Sequence, residues 1–259
     1  MQRSCRLIAR TLLSMVVSLV GLSGCGSEHK GIGSGGAMDR YAHRFFPIQA
    51  GWIQESEIPE VSRESRRMVI WEVSEVDPDV TETPEQTEAA NAFKQRCFQV
   101  ALDRGWFDRA NGMRDGFFIA GHDKWHYRND EYVLDGITLD PERPEYLMYH
   151  RVKEGGYALT GFMFLAGAQE SRGPQIAGPL SVWHYHIWKK PRCYAQDLLS
   201  AGEVDENGKC EEGVGRHRSS EMLHVWLIDH PRGIFSSGMM LPPRILFPGL
   251  KKRMREHGV

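Results

Sequence analysis

Two features that would assign this chain of 259 residues to a common functional class are missing from it. Its 32 basic side chains do not outnumber the 34 acidic ones, so no global basic field favours nucleic-acid binding. Familiar catalytic motifs are also lacking: there is no Gly-x-Ser-x-Gly, Walker loop, dinucleotide-binding glycine pattern after a predicted strand, His-Glu-x-x-His or Cys-x-x-Cys. We therefore expect no nucleic-acid partner, and the usual hydrolase, kinase and thioredoxin functions lose their support.

The chain begins with an uncharged run that is too short to span a membrane, which requires about 20 apolar residues. This run, residues 11–22, follows Arg3, Arg6 and Arg10, an arrangement typical of a secretory signal peptide. It ends in Leu22-Ser23-Gly24-Cys25, which resembles the lipobox of bacterial lipoproteins.

The lipobox resemblance implies cleavage before Cys25, whose sulfur would carry a diacylglycerol and whose amino group would be acylated. Incorporation of labelled palmitate would then reveal the lipidation. Two or three acyl chains hold a protein firmly on a membrane, whereas one chain binds only marginally. Gly26, rather than Asp, implies the periplasmic side of the outer membrane if the host is Gram-negative. We therefore expect a lipid-anchored protein of the cell envelope. An ordinary signal peptide, or a start at Met38, is the alternative.

The predicted signal peptide and lipidation site divide the chain into three segments. Residues 1–24 form the signal peptide, residues 25–37 the lipidated cysteine with a Gly- and Ser-rich tether, and residues 38–259 a single globular domain. Loss of residues 1–24 removes three arginines and no acidic residue, so the mature protein is more acidic than the precursor, whose formal charge is −2. A content of 41% apolar and 10% aromatic residues predicts a compact core.

Periodicity predicts an α+β domain with a mainly antiparallel β-sheet or barrel-like core and one N-terminal packing helix. Thr83 and Pro84 are helix-start signals, and apolar residues then recur at helical spacing, so we expect a helix over 84–103. Strands are predicted at 68–73, 145–151, 157–166, 180–188 and 222–228, with the second and third joined as a hairpin.

Two histidines stand two residues apart in a predicted strand. Because successive strand residues point to opposite faces, His184 and His186 share one face and could bind a single ion. His224 lies inside another apolar strand, where an unbonded polar ring is costly, so it is the best candidate third ligand. Imidazole suits Zn, Cu or Fe, and three ligands leave coordination positions open, whereas Cys193 or Glu221 could close the site. Histidines that are hydrogen-bonded in the core, or exposed on a sheet face, are the alternative.

The segment Gly178–His186 resembles the first motif of the cupin family, which has a glycine, five residues and then His-x-His. His224 lies where the histidine of the second cupin motif could fall. Cupins are small β-barrels that hold a metal through such residues, so the resemblance implies a barrel-like fold and a metal role for the three histidines. Lys190 and Pro191 stand where the family has a metal-binding glutamate, and the Pro-x-Gly of the second motif is absent before His224.

A wider segment, Ala89–Pro242, resembles a family of uncharacterised bacterial secreted proteins. The similar stretches are His126-Tyr-Arg-Asn, the run Leu139–Met148, the Trp-His-Tyr-His strand and Glu221-Met-Leu-His-Val-Trp. This resemblance implies a shared fold and no particular activity.

Two further residues are candidates for catalysis if the metal centre is an enzyme site. The ion would then act as a Lewis acid or an oxygen-activating centre, with Glu221 or His126 as the proton carrier. His126 lies in a Gly- and Asp-containing segment, where a surface or hydrogen-bonded histidine is the alternative. The alternative function is a non-catalytic envelope lipoprotein that binds a ligand or a partner protein.

Export would place the remaining cysteines in an oxidising compartment. Cys193 and Cys210 flank a loop rich in Gly, Asp and Glu, so we expect a disulfide between them, worth about 3 kcal/mol. Cys97 is then unpaired and is expected to be a buried thiol of the helix.

Overall fold

A computed structural model of the protein describes residues 48–49, 69–74, 81–119, 124–152, 155–239, 241, 246, 248–252 and 255. Its helices are α1 (Pro84–Asp103), α2 (Arg109–Arg114) and α3 (Asp130–Leu134), and residues 248–252 are also helical. Its strands are β1 (Ile48–Gln49), β2 (Val69–Ser74), β3 (Phe118–Ile119), β4 (His126–Arg128), β5 (Tyr146–Arg151), β6 (Tyr157–Leu165), β7 (His184–Ala195), β8 (Leu199–Glu203), β9 (Val214–Arg218) and β10 (Met222–Trp226). The predicted signal peptide, the tether and Cys25 lie outside the described residues.

Helix α1 begins at a capping box and has the bounds that the sequence predicts. The Thr83 hydroxyl accepts a hydrogen bond from the Gln86 backbone N–H, and the Gln86 side chain accepts one from the Thr83 backbone N–H. One side of the helix is buried against the sheet. The residues of that side recur at helical spacing: Ala90, Phe93, Cys97 and Ala101.

The strands form one sheet in the order β1-β2-β7-β10-β6-β5-β4-β3, while β8 and β9 pair with β7 outside that path. The described pairings are antiparallel except for β1 with β2. The sheet curls into a half-barrel accompanied by few helices, so the predicted α+β class with a barrel-like core is confirmed. None of the helices within the described ranges combines the length and the apolar character that spanning a bilayer requires.

Strand β7 differs from its prediction at both ends. Gly178–Leu180 forms a 3-10 helix instead of the strand's start, because Gly178 has a φ of +53° and Pro179 suits a first helical turn. The strand begins at His184 and continues past Trp188, since β8 and β9 pair with its second half. The other predicted strands match β2, β5, β6 and β10 to within two residues at each end.

The two faces of the sheet carry different side chains. The face that packs against α1, called the helix face here, is aromatic and aliphatic, and its residues include Tyr127, Leu147, Tyr149, Phe162, Phe164, Leu223 and Val225. The opposite face, called the histidine face, is lined by His, Met and Trp: His126, Met148, Met163, His184, His186, Met222, His224 and Trp226. Because side chains alternate along each strand, β10 contributes Leu223 to one face and His224 to the other.

The predicted disulfide between Cys193 and Cys210 is present. It joins β7 to the loop before β9, and β9 itself pairs with β7. The C-terminal half of β7 is therefore held both covalently and by hydrogen bonds. Cys97 is a free thiol, fully buried in α1, and burial raises its pKa. Both outcomes agree with the sequence analysis.

Candidate functional site

His184 and His186 occupy the start of β7 and share one face, as strand alternation predicts. Their ring centroids are 5.8 Å apart, and the ring of Trp188 lies 5.3 Å from that of His186. His184 is fully buried, and its Nδ1 lies 3.2 Å from the carbonyl oxygen of Val182. Since a carbonyl only accepts, Nδ1 carries the hydrogen, and the lone pair of the neutral ring is on Nε2.

His224 comes to this pair from the neighbouring strand. Met222 of β10 is paired with His184 of β7, which sets the two strands side by side. The ring centroids of His184 and His224 are 4.7 Å apart. The three histidines singled out in the sequence are thus brought together, with His184 in contact with both others.

A fourth histidine reaches the same place from β4. This strand lies three positions from β10, about 14 Å away if the sheet were flat. The His126 ring nevertheless stacks on His224, with centroids 5.5 Å apart and planes inclined by 30°. Curling of the sheet therefore assembles the histidine cluster, defined here as His126, His184, His186 and His224.

The His224 ring is distinguished by its burial, its hydrogen bonding and its lowered pKa. It is fully buried, and neither ring nitrogen makes a hydrogen bond of normal geometry within the described part of the chain. Burial, and then the imidazoles of His184, His126 and His186, lower its pKa well below 6.5. The Ser236 backbone acts in the opposite direction but more weakly, so the ring is neutral near pH 7. A buried polar ring without a hydrogen bond of normal geometry to a described residue costs free energy. Neutral imidazole is also the form that binds metal ions.

The cluster is not a closed coordination site as it stands. No group of three or more His, Cys, Asp or Glu side chains among the described residues is arranged to hold a metal ion. The ring separations of 4.7, 5.5 and 5.8 Å are close to the roughly 5 Å expected for imidazoles around one ion with metal–nitrogen bonds of about 2 Å. The rings are thus neighbours whose nitrogens do not yet converge.

Two other residues considered in the sequence analysis lie elsewhere. The buried Glu221 carboxylate accepts a hydrogen bond from the Gly173 N–H at 2.7 Å and lies 3.8 Å from an Arg172 guanidinium nitrogen. It does not line the cavity beside the cluster, and its contacts tie the Gly173 loop to the start of β10. Cys193 is joined to Cys210 and so is not available to complete a metal site.

A cavity of about 120 Å³ adjoins the cluster and is lined in part by His126 and His186. Two buried arginines, Arg128 and Arg192, also face it, and sequence reasoning does not find them. Arg128 shares the alternation of His126 in β4, which is the one local signal that could have pointed to it. Arg192 follows Lys189-Lys190-Pro191, a stretch whose composition indicates an exposed turn instead of a buried strand.

No protein-family model, curated protein or solved structure matches the chain. The resemblances to the lipobox, to the cupin motif and to the secreted family therefore stay predictions. The function has to be argued from the residues of the site.

Proposed function

We propose that this protein is a lipid-anchored protein of the bacterial cell envelope that binds one transition metal ion at the histidine cluster. The observation that carries the metal proposal is His224, whose buried ring makes no hydrogen bond of normal geometry to a described residue and lies against the rings of His184 and His126. An unsatisfied buried polar group costs about 1–3 kcal/mol, and an ion bound at the lone-pair nitrogen of the neutral His224 ring would offset that nitrogen's share of the cost.

His184, His186 and His224 are the proposed ligands, with His126 beside them. The Nδ1–H of His184 donates to the Val182 carbonyl, as ligating histidines commonly do, and this directs Nε2 to the ion. The proposal requires rotation about side-chain bonds, because the rings are adjacent while their nitrogens do not converge. Zn, Cu and Fe all suit imidazole, and a bound ion with open positions would supply Lewis-acid or oxygen-activating chemistry.

Elemental analysis tests the metal proposal directly. The protein, purified in metal-free buffers and reconstituted with Zn, Cu or Fe, should hold stoichiometric metal, and the His184→Ala/His186→Ala variant should not. His217→Ala is the matched control, since His217 lies on β9 and bonds the Trp188 carbonyl outside the cluster. Circular dichroism establishes that each variant is folded. Metal-free wild-type protein after reconstitution would contradict the proposal and support the alternative of a non-catalytic lipoprotein that binds a ligand.

Acyl labelling tests the anchor separately. Cells that express the full chain with labelled palmitate should give a labelled protein, and Cys25→Ser should remove the label. Cys5→Ser is the control, because Cys5 belongs to the predicted signal peptide and is lost on cleavage. Equal labelling of the wild type and Cys25→Ser would rule out lipidation at that residue.

A further inference from the structure

Arg192 is a buried cation on the wall of the cavity. The residue is 8% exposed, and its Nε has no hydrogen-bond partner among the described residues. No carboxylate of the described residues forms an ion pair with it. Its guanidinium lies over the Trp188 ring, 5.1 Å from the centroid. Buried charges in proteins are normally paired, so this one indicates an anion that the described residues do not supply.

The second arginine of the cavity is already neutralised. The Arg128 Nε pairs with Asp130, and one of its terminal nitrogens donates to the Ser200 carbonyl at 3.2 Å. Of the two arginines that line the cavity, Arg128 is therefore neutralised by Asp130, whereas no described carboxylate neutralises Arg192. A ligand that matches the site carries one negative charge.

The size and lining of the cavity restrict that ligand further. A volume of about 120 Å³ corresponds to on the order of four water molecules at about 30 Å³ each. Met163, Leu165 and Met222 give the cavity an apolar side. The buried Ser220 hydroxyl, which bonds no residue in the described part of the chain, offers a donor. A doubly charged phosphate has too much charge for one arginine and no apolar part, whereas a short organic acid has one carboxylate and a short apolar chain.

We propose that the cavity binds the carboxylate of a short-chain organic acid, with Arg192 as its ion-pair partner. The planar guanidinium presents two parallel N–H donors, the geometry that matches a carboxylate. The Ser220 hydroxyl donates to the same group, and the Met163 and Met222 side chains contact the hydrocarbon part. This site does not rest on the metal proposal, because neither Arg192 nor Ser220 belongs to the histidine cluster.

Calorimetric titration of the purified protein in a chelating buffer tests this proposal without any metal. The probes are acetate and butyrate, their neutral counterparts acetamide and butyramide, and inorganic phosphate. At least one acid should bind, and its amide should bind at least about tenfold more weakly because the charge-assisted pair is lost. Arg192→Gln should weaken acid binding by a similar factor. Arg216→Gln is the control, because Arg216 pairs with Asp197 at 3.1 Å and does not line the cavity.

Several results would overturn the carboxylate site. They are the absence of binding by both acids, equal binding of acid and amide, tighter binding of phosphate than of either acid, and unchanged acid affinity in Arg192→Gln. Removal of an unpaired buried charge should leave the melting temperature at or above that of the wild type, which a thermal scan checks. If Arg192→Gln fails to fold, Arg192→Lys keeps the charge but loses the two parallel N–H donors of the guanidinium. It should then bind the acid several-fold more weakly. Unchanged acid affinity in that variant would also count against the site.

Discussion

The helix face and the histidine face of the curled sheet are both largely buried, but they differ in how several of their polar atoms are bonded. On the helix face, the indole N–H of Trp106 donates to Asp115 at 2.7 Å and the Tyr149 hydroxyl donates to the Trp106 carbonyl at 2.6 Å. On the histidine face, no described residue makes a hydrogen bond of normal geometry with three buried polar groups: the His224 ring nitrogens, Nε of Arg192 and the Ser220 hydroxyl. The same strands therefore build one face whose named polar groups are bonded and another on which several buried polar groups lack bonds to described residues, each at a cost in stability.

This difference indicates where a ligand acts. Native structures satisfy nearly all buried polar groups, and departures from that rule gather at functional sites. Here several of the departures lie around the histidine cluster and the adjoining cavity, and others lie at Glu145, Gln169 and Arg216. On the opposite face, aromatic rings pack against one another, as Phe93 and Phe164 do at 5.7 Å. Stability measurements on matched variants of the two faces test whether they contribute differently to the free energy of unfolding.

The largest effect is expected on the helix face. Phe164 is fully buried and contacts the rings of Phe93 and Phe162, so Phe164→Ala should lower the free energy of unfolding by about 3–5 kcal/mol. Urea unfolding followed by circular dichroism measures the loss. Its neighbour Met163 lies on the wall of the existing cavity, so Met163→Ala should cost less. Equal losses in the two variants would show that the histidine face contributes packing as the helix face does.

A change of opposite sign is expected for His224→Leu. Leucine has nearly the same volume and no polar atoms, so the metal-free variant should be more stable than the wild type by about 1 kcal/mol. Urea unfolding in a chelating buffer measures the gain. His217→Leu, on a half-buried ring that bonds the Trp188 carbonyl, should give no gain. A clear loss of stability in His224→Leu would mean that the ring is satisfied in the folded protein, and the argument for a ligand there would fail.

Features encoded locally could be predicted from the sequence. The capping box at Thr83 sets the start of α1, and alternation alone puts His184 and His186 on one face. The Cys193–Cys210 bridge follows from its position around one loop.

Features that depend on the curling of the sheet could not be predicted. The contact between His126 and His224 crosses two intervening strands, and no local period encodes it. Arg192 is buried because β8 and β9 pair with the far half of β7, and the adjacent lysines and proline hide that pairing. The three short strands β4, β8 and β9 have no distinct hydrophobic pattern, so tertiary pairing decides their conformation.

The smallest effect is expected for Glu145, which directly precedes β5. A variant of this residue tests whether unsatisfied buried charge is confined to the histidine face. Burial raises the pKa of its carboxyl well above the ordinary 4.5, with Asp135 and Asp140 adding to the rise. The folded protein therefore keeps a proton that the unfolded chain loses above pH 4.5, so this group lowers stability progressively as the pH rises from there. Glu145→Gln removes that titration. Thermal scans should show equal melting temperatures for the variant and the wild type near pH 4 and a higher one for the variant at pH 8. A pH-independent difference would mean that Glu145 is ionised in the folded protein and paired with a cation, so that its charge is satisfied there as well.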